Sequence, residues 1–339
     1  MTSAFPWLRP ARPDDVDAVM AMARAAGPGM TNLQPDRDAL GAMLAASEAR
    51  LLKGGDALNA TPLWFLLIAD AAVIGTAAIF PSVGMTWPFY SYQRNRLVNV
   101  SVALDRSVTI ETLTLNNDFN GAAEVGGLIV LPQARGMRAG RIAARGRYLF
   151  MAEHRSWFPT RVMAELRGWL DGKGRSPVWE GIGRPFYGMD FDMADRFGGR
   201  HGNQFIAELG PRYPIYADML PSAARGALGK PHDDSRAAYE MLLAEGFLDE
   251  GYIDIFDGGP QVSIGIDLLR GVRESRVGLL TATDLPPGGG GHLLTTGEGG
   301  AFRCTRGDVV AAGHELAIDA GAAERLGVSV GDRVRHVAF

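Results

Sequence analysis

Residues 122–152, AAEVGGLIVLPQARGMRAGRIAARGRYLFMA, govern the reading of the whole chain. The short apolar run rich in Val, Leu and Ile predicts a buried strand over Glu124 to Leu131, and Pro132 opens a turn that lasts to Ala139. Ile142, Tyr148, Leu149 and Met151, interleaved with arginines, predict a helix from about Gly140 to Glu153. A strand that feeds a helix through a tight turn leaves several N–H groups at the helix start without intrahelical partners. The positive end of the helix dipole adds to them, so the turn can cradle a phosphate or pyrophosphate. Arg135, Arg138, Arg141 and Arg145 bring cationic charge to that end. The implied ligand is a phosphorylated cofactor.

Composition bounds the rest. A chain of 339 residues suggests about two domains. With 47% hydrophobic and 21% charged residues it reads as globular, neither disordered nor membrane-embedded. A net charge of −4 argues against a general nucleic-acid binder. The single cysteine, Cys304, excludes an internal disulfide and a Cys-based zinc site, and suits a reducing cytoplasm. Arg9, Arg12, Asp14, Asp15 and Asp17 interrupt any early apolar stretch, so no signal peptide is expected. The apolar window Leu63 to Phe80 is broken by Asp70 and Gly75 and reads as core strands, so no membrane span is expected. No metal-ligand spacing is present, and no metal is proposed.

Leu8 to Ala11 reads as a first strand, followed by a helix entered through Pro13 whose buried stripe is Val16, Val19, Met20, Met22 and Ala23. That helix stops at Gly27-Pro28-Gly29, and a second is expected near Asp36 to Leu51. Leu63 to Ala69 and Ala72 to Phe80 form a hairpin turning at Asp70, and Arg94 to Ala103 and Thr109 to Leu115 are further strands. The turn Arg135-Gly136-Met137-Arg138-Ala139-Gly140 is similar to R-G-x-G-x-G/A, the acyl-CoA signature of GCN5-related N-acetyltransferases, with Arg138 at the middle glycine. The expected fold is therefore α/β (α+β): an acyl-CoA N-acyltransferase (GNAT-like) mixed sheet with flanking helices. Downstream, a strand is expected over Arg161 to Leu170 and helices at Pro177 to Ile182, Met193 to Phe197 and Arg236 to Glu245. The Pro/Gly-rich run 284–300 is expected as an exposed loop, before short strands at Asp308 to Ile318 and Leu326 to Val337. The expected division is 1–220 for the acyltransferase domain, 221–283 for an extension carrying His232 and packing on it, and 284–339 for a small β-rich C-terminal unit.

Several stretches go further: GPGMTNL (27–33), AAIFPSVG (77–84), NDFNGAAEVGGLIVLP (117–132), AELRG (164–168), GKPHDD (229–234) and GYIDIFDGGP (251–260). Together these resemble the bacterial arginine N-succinyltransferase family, which includes paired subunits. The likeness spans roughly residues 7 to 280 and continues loosely to the C-terminus. It implies transfer of succinyl from succinyl-CoA, as co-substrate with no permanently bound cofactor, to the α-amino group of L-arginine. It also implies a homo- or hetero-oligomer with a paralogous subunit. The family's proton-donating histidine falls on His232 and its succinyl-CoA contact on Leu128.

Thioester aminolysis needs a polarised carbonyl and a proton for the departing thiolate. Amides around Leu128, Ile129 and Val130 are candidates for the carbonyl oxygen, a kind of donor worth about 3 kcal/mol. Arg135, Gly136, Met137, Arg138, Ala139, Gly140 and Arg141 are candidates for the diphosphate. Read from the residues alone, Asp233, Asp234 or Ser235 caps a helix and His232 is solvated; the resemblance makes it the proton donor. Asp118, Glu124, Asp254 and Asp257 are candidates for a guanidinium, although the last two also suit turn formation beside Gly258-Gly259. Met30, Thr31 and Asn32 occupy the loop expected to close over substrate. Arg94, Arg96 and Arg167 are candidates for carboxylates, and Trp87, Phe89, Tyr90 and Tyr92 are expected in the core. Two alternatives stand beside the enzyme reading: a non-catalytic or regulatory subunit, because Arg138 replaces a glycine, and a related acyltransferase for another amine such as ornithine.

Overall fold

The computed structural model describes residues 5–26, 33–55, 59–134, 136–286 and 288–339. The chain begins β1 (Trp7–Pro10), α1 (Val16–Ala26), α2 (Arg37–Lys53), β2 (Leu63–Ala69), β3 (Ala72–Phe80), β4 (Ser91–Ser101), β5 (Arg106–Asn116), β6 (Ala123–Val130), α3 (Ala139–Glu153) and β7 (Arg161–Glu165). It continues through α4 (Arg184–Tyr187), α5 (Phe191–His201), α6 (Gln204–Leu209), β8 (Ile215–Tyr216), α7 (Ser222–Arg225), α8 (Arg236–Ala244), β9 (Leu248–Asp254) and β10 (Pro260–Gly265). Last come α9 (Arg270–Glu274), β11 (Arg276–Leu285), β12 (His292–Thr296), β13 (Arg303–Gly307), β14 (Val309–Ala312), β15 (Glu315–Asp319), α10 (Ala320–Leu326) and β16 (Arg333–Ala338). The expected mixed α+β class and the order of its first elements are found.

Two compact units interleave along the chain, whereas the boundaries expected at 220 and 283 are sequential. One comprises residues 1–82, 125–160 and 265–339, the other 83–124 and 161–264. Strand β6 carries the chain from the second unit into the first.

In the first unit the strand order is β14-β15-β11-β16-β12-β13-β1-β2-β3-β6. The hairpin β2–β3 is registered from Leu63 against Ile79 to Ala69 against Ala72. Its two turn residues, Asp70 and Ala71, both have positive φ (46° and 62°), the backbone whose twist matches the flanking strands. Helices α1 and α2 bury Val19, Met22, Leu40 and Leu44 with Trp64, Leu66 and Ile68 of β2. Asp36 caps α2 by accepting from the amides of Asp38 and Ala39. On α3, Tyr148, Leu149, Phe150 and Met151 are fully buried. The Arg147 guanidinium, 2% exposed, donates to Ala78 O and Gly126 O at 2.8 Å each and to Ala143 O at 3.2 Å. It thus ties α3 to β3 and β6.

The run 284–300 is not the exposed loop expected from its glycines. It contains β12, paired antiparallel with both β13 and β16, and Leu293 and Leu294 are buried. Five ladder residues between glycine runs are too few for periodicity to register.

In the second unit the order is β7-β10-β9-β4-β5-β8, with the first two residues of β6 on β7. Its core gathers Tyr92, Leu113, Trp179, Ile206 and Ile253. Trp179 stacks on Tyr187 and Phe256, and Trp179–Gly183 forms a π-helical turn where an ordinary helix was expected. Tyr92 is core as expected, but Trp87 is 51% exposed. Strand β7 ends at Glu165, short of the expected Leu170. Beyond it Gly168 bridges Pro231, at a point where an added Cβ would lie 2.4 Å from Asp257 O.

The aromatic packing around α3 gives a stability prediction. Phe150 meets Phe65, Phe158 and Phe302 edge-on and stacks on His154. Phe150→Ala is expected to cost about 3–5 kcal/mol, read as a lowered urea midpoint.

Candidate active site

The first unit supplies an open, arginine-flanked turn at the start of α3. Within β6, Gly127 has φ +58°, and its carbonyl accepts from Thr76 Oγ1 at 2.9 Å. A Cβ there would press 2.9 Å against the Trp64 ring, so the bulge needs glycine. A 3-10 turn, Pro132–Ala134, follows, and Gly136 has φ +95°. Arg138 takes the left-handed conformation (φ 57°, ψ 21°) at the N-cap of α3 with its side chain exposed. An arginine therefore occupies the backbone state of the expected glycine, at a cost of about 1–2 kcal/mol. Arg141 N and Ile142 N both return to Arg138 O at 3.1 Å. Among the described residues the amides of Ala139 and Gly140 have no such return bond and form the open first turn.

Cations surround that turn. The Arg306 guanidinium stacks on Phe339 at 4.4 Å and donates to Gly289 O and Gly290 O. Burial, and then repulsion from Arg138 and Arg141, lowers its pKa, so these three guanidinium groups share one field. Arg145 lies over the same Phe339 ring at 5.7 Å, but it is buried, 2% exposed, and donates to Ala338 O at 3.0 Å. An open helix start under an excess of positive charge fits a diphosphate. Arg135, Met30, Thr31 and Asn32 lie outside the described residues.

The second unit supplies titratable groups. Pairing of β6 with β7 is confined to Ala123 with Val162 and Glu124 with Met163, in parallel, so Glu124 stands where this ladder ends. Beyond the end of β7, His232 N donates to Arg167 O at 2.8 Å. The His232 side chain is 24% exposed, neither fully solvated nor buried. Its Nδ1 accepts from Asp234 N at 3.2 Å, while the exposed Asp234 carboxylate lies 3.6 Å away. A neutral imidazole that accepts at Nδ1 carries its proton on Nε2.

Asp254 and Asp257 form a buried pair. Asp254 Oδ1 accepts from the amides of Phe256 and Asp257 at 2.7 Å each. Asp257 accepts from Gly168 N at 2.7 Å and Gly259 N at 2.8 Å, fastening the β9–β10 turn to the end of β7. Burial, then the nearby Glu165 and Asp257 carboxylates, pushes the Asp254 carboxyl well above the ordinary carboxylate range. Burial also raises Asp257, against the pull of its backbone donors, Asp254 and Arg167. Two buried carboxyls in contact do not both ionise, so the pair shares a proton, with the stronger upward shift on Asp254. Both atoms of Asp257 are thus spent on the backbone. Asp118 is exposed and accepts from Tyr252 Oη at 2.8 Å, and Arg161 lies over Phe119 at 4.5 Å.

The sequence reading passed over Glu165 and Gln261. Gln261 Nε2 donates to Glu165 Oε2 at 2.6 Å, and Gln261 is fully buried. Their only advance signal was the stretch AELRG, in which no role was assigned to the glutamate.

A mixed sheet with an amide-rich, cation-flanked turn at the start of one helix, and a histidine whose proton is directed to Nε2, is the equipment of an acyltransferase. Comparison with known proteins sharpens this. A family model described as arginine N-succinyltransferase beta subunit matches residues 7–271, and one for that subunit's C-terminal domain matches residues 273–338. Arginine N-succinyltransferase subunit beta of Pseudomonas aeruginosa is 35% identical over 331 residues, 97% of each chain. Subunit alpha of the same organism is 34% identical over 335 residues, covering 98% of this chain and 99% of that one. The structure of arginine/ornithine succinyltransferase subunit AI from Pseudomonas aeruginosa superposes with a TM-score of 0.86, at 31% identity and 99% coverage of both chains. The chain belongs to the arginine N-succinyltransferase family.

The acid pair has a consequence for stability. A carboxyl whose pKa is raised on folding binds its proton more tightly in the native state. Stability is then full below the ordinary carboxylate range and falls as pH rises towards the raised value. Asp254→Asn keeps the acceptor for the two amides and a donor towards Asp257. It is expected to flatten this decline, by on the order of 1 kcal/mol at pH 8 relative to pH 5, in urea midpoints measured at both pH values.

Proposed function

We propose that the protein transfers the succinyl group of succinyl-CoA to the α-amino group of L-arginine. Membership of the family, and the names of relatives that align over nearly the whole chain, support the reaction. The observation that carries the chemistry is the hydrogen bond from Asp234 N to His232 Nδ1, which leaves Nε2–H as the donor towards the departing sulfur.

The coenzyme diphosphate is assigned to the amides of Ala139 and Gly140 and to the cations Arg138 and Arg141, with Gly136 and Met137 shaping the turn. The thioester carbonyl is assigned to amides of Leu128, Ile129 and Val130, beyond the short ladder that ends at Glu124. The amine lone pair attacks the carbonyl carbon, a C–N bond forms and the oxygen takes the charge. The C–S bond then breaks, and the thiolate takes the proton that the attacking nitrogen sheds while the neutral imidazole's Nε2–H hydrogen-bonds the departing sulfur. Asp118 and Glu124 remain candidates for the acceptor's cation. Asp254 and Asp257 support that task less well, because their oxygens are engaged by backbone amides.

A non-catalytic subunit is the poorer reading: Arg138 adopts the glycine-like backbone with its side chain turned to solvent, so it leaves the cradle open. Because both named relatives are called subunits, assembly with a second copy or a paralogue is part of the proposal. Among the described residues no helix is long and apolar enough to cross a membrane, and a cytoplasmic location is proposed with it.

His232→Ala is expected to lower kcat by about 10²–10⁴-fold. Calorimetric titration with succinyl-CoA should give an unchanged Kd in that variant. Near-normal turnover would remove the role of His232, and absence of succinyl-CoA binding by the wild type would remove the enzyme reading.

A further inference from the structure

Beyond β7 the chain meets the segment of His232 in one antiparallel bridge, Gly168 with Pro231. Two main-chain bonds close it on either side: His232 N donates to Arg167 O at 2.8 Å, and Trp169 N donates to Lys230 O at 3.0 Å. Residues directly opposite in an antiparallel pair share a face, and neighbours along one chain alternate. Gly168 and Pro231 therefore take one face, and Arg167, Trp169, Lys230 and His232 take the other. The Lys230 ammonium accords with this, lying over the Trp169 ring at 4.2 Å. That contact fixes where the ammonium stands, although its four-carbon stem is flexible. His232 thus has a guanidinium opposite it and an ammonium two residues before it.

Both cations lack a counter-ion. Among the described residues neither the Arg167 guanidinium nor the Lys230 ammonium has a hydrogen bond or an ion pair. Arg167 acts on Asp257 only through its field, and Asp257 spends its oxygens on Gly168 N and Gly259 N. The two acids that follow the histidine are placed elsewhere. Asp233 pairs with Arg236 at 3.5 Å, and the Asp234 carboxylate lies 3.6 Å from His232 Nδ1. Arg167 and Lys230 are half-buried, so each has lost part of its hydration without a partner to replace it. Two such cations on one face suit a carboxylate, which a guanidinium holds through two parallel bonds and an ammonium holds as a point charge.

We propose that Arg167 and Lys230 bind the free carboxylate of the succinyl group and thereby select a dicarboxylic acyl donor over a neutral one of the same length. This rests on the reading above of a succinyltransferase in which His232 faces the departing sulfur. Two methylene groups separate the acyl carboxylate from the thioester carbonyl. With the sulfur at His232, that carboxylate falls within reach of long cationic side chains beside the ring. The acyl chain and the sulfur lie in one plane, as substituents of the same carbonyl carbon, whereas the amine attacks from outside that plane. Groups flanking the sulfur's donor therefore meet the acyl end rather than the acceptor. Arg167 and Lys230 are binding residues, and Trp169 positions Lys230.

The test titrates the full-length protein by calorimetry with succinyl-CoA and with butyryl-CoA, in which a methyl group replaces the carboxylate. The wild type is expected to bind succinyl-CoA about 10–100-fold more tightly. In Arg167→Met that preference is expected to vanish, Lys230→Met should reduce it, and Arg167→Lys should keep part of it. KM for L-arginine is expected to be unchanged in all three variants, since only side chains differ and the main-chain bond to His232 is kept. Equal binding of the two thioesters by the wild type, or a preference that survives in Arg167→Met, overturns the proposal. So does a raised KM for L-arginine with unaltered succinyl-CoA binding, which would give the cations to the acceptor's carboxylate. If the preference depends on Arg167 yet no succinyl group reaches L-arginine, the subsite stands and the reading under Proposed function fails instead.

Discussion

A buried guanidinium holds the first unit's working parts in place. Arg147 on α3 donates to Ala78 O of β3 and Gly126 O of β6. A charge so deprived of water is tolerated only where hydrogen bonds replace its hydration. Its partners are main-chain carbonyls of the strands beside the helix, so the position of α3 on β3 and β6 is fixed by geometry as well as by apolar contact. The open amides at the start of α3 and those of the last β6 residues are thereby held in one frame. Gly127 contributes to the same frame, because its bulge turns the strand where the Trp64 ring forbids a side chain.

The second unit works by hydrogen bonds between neighbouring turns. Asp257 spends its carboxylate on Gly168 and Gly259, and the main chain at Arg167 in turn receives His232. The histidine is thus placed by a relay of backbone donors running from the β9–β10 turn, while its tautomer is set locally by Asp234 N. Asp257, weighed from the sequence as a ligand, fastens the turn beside the segment that receives His232. The unassigned Glu165, one strand away, is exposed.

Much of this was legible beforehand. The Pro132 break after an apolar run, with arginines spaced among apolar residues beyond it, placed β6, its turn and α3 within a residue or two. The β2–β3 hairpin was readable because both strands are apolar and Asp70 sits between them. Other features leave no local trace. The bond from Gln261 to Glu165 joins positions 96 residues apart, and no periodicity encodes such a pairing. Arg145, expected to bring charge to the turn, is buried, and so is Arg147, to which the sequence reading gave no role. Trp87 and β12 mislead in opposite ways, an aromatic left outside and a glycine-flanked segment drawn into a sheet.

Strand β1 lies between β2 and β13, so Trp7 faces Thr305 and Leu8 faces Cys304. During synthesis the second edge of β1 must wait for nearly the whole chain to emerge before it finds its partner. Until then a short apolar strand stays available for wrong pairings, and closure of so distant a contact is slow. The first unit is in this sense the last to be finished, although its strand β1 precedes every strand of the second.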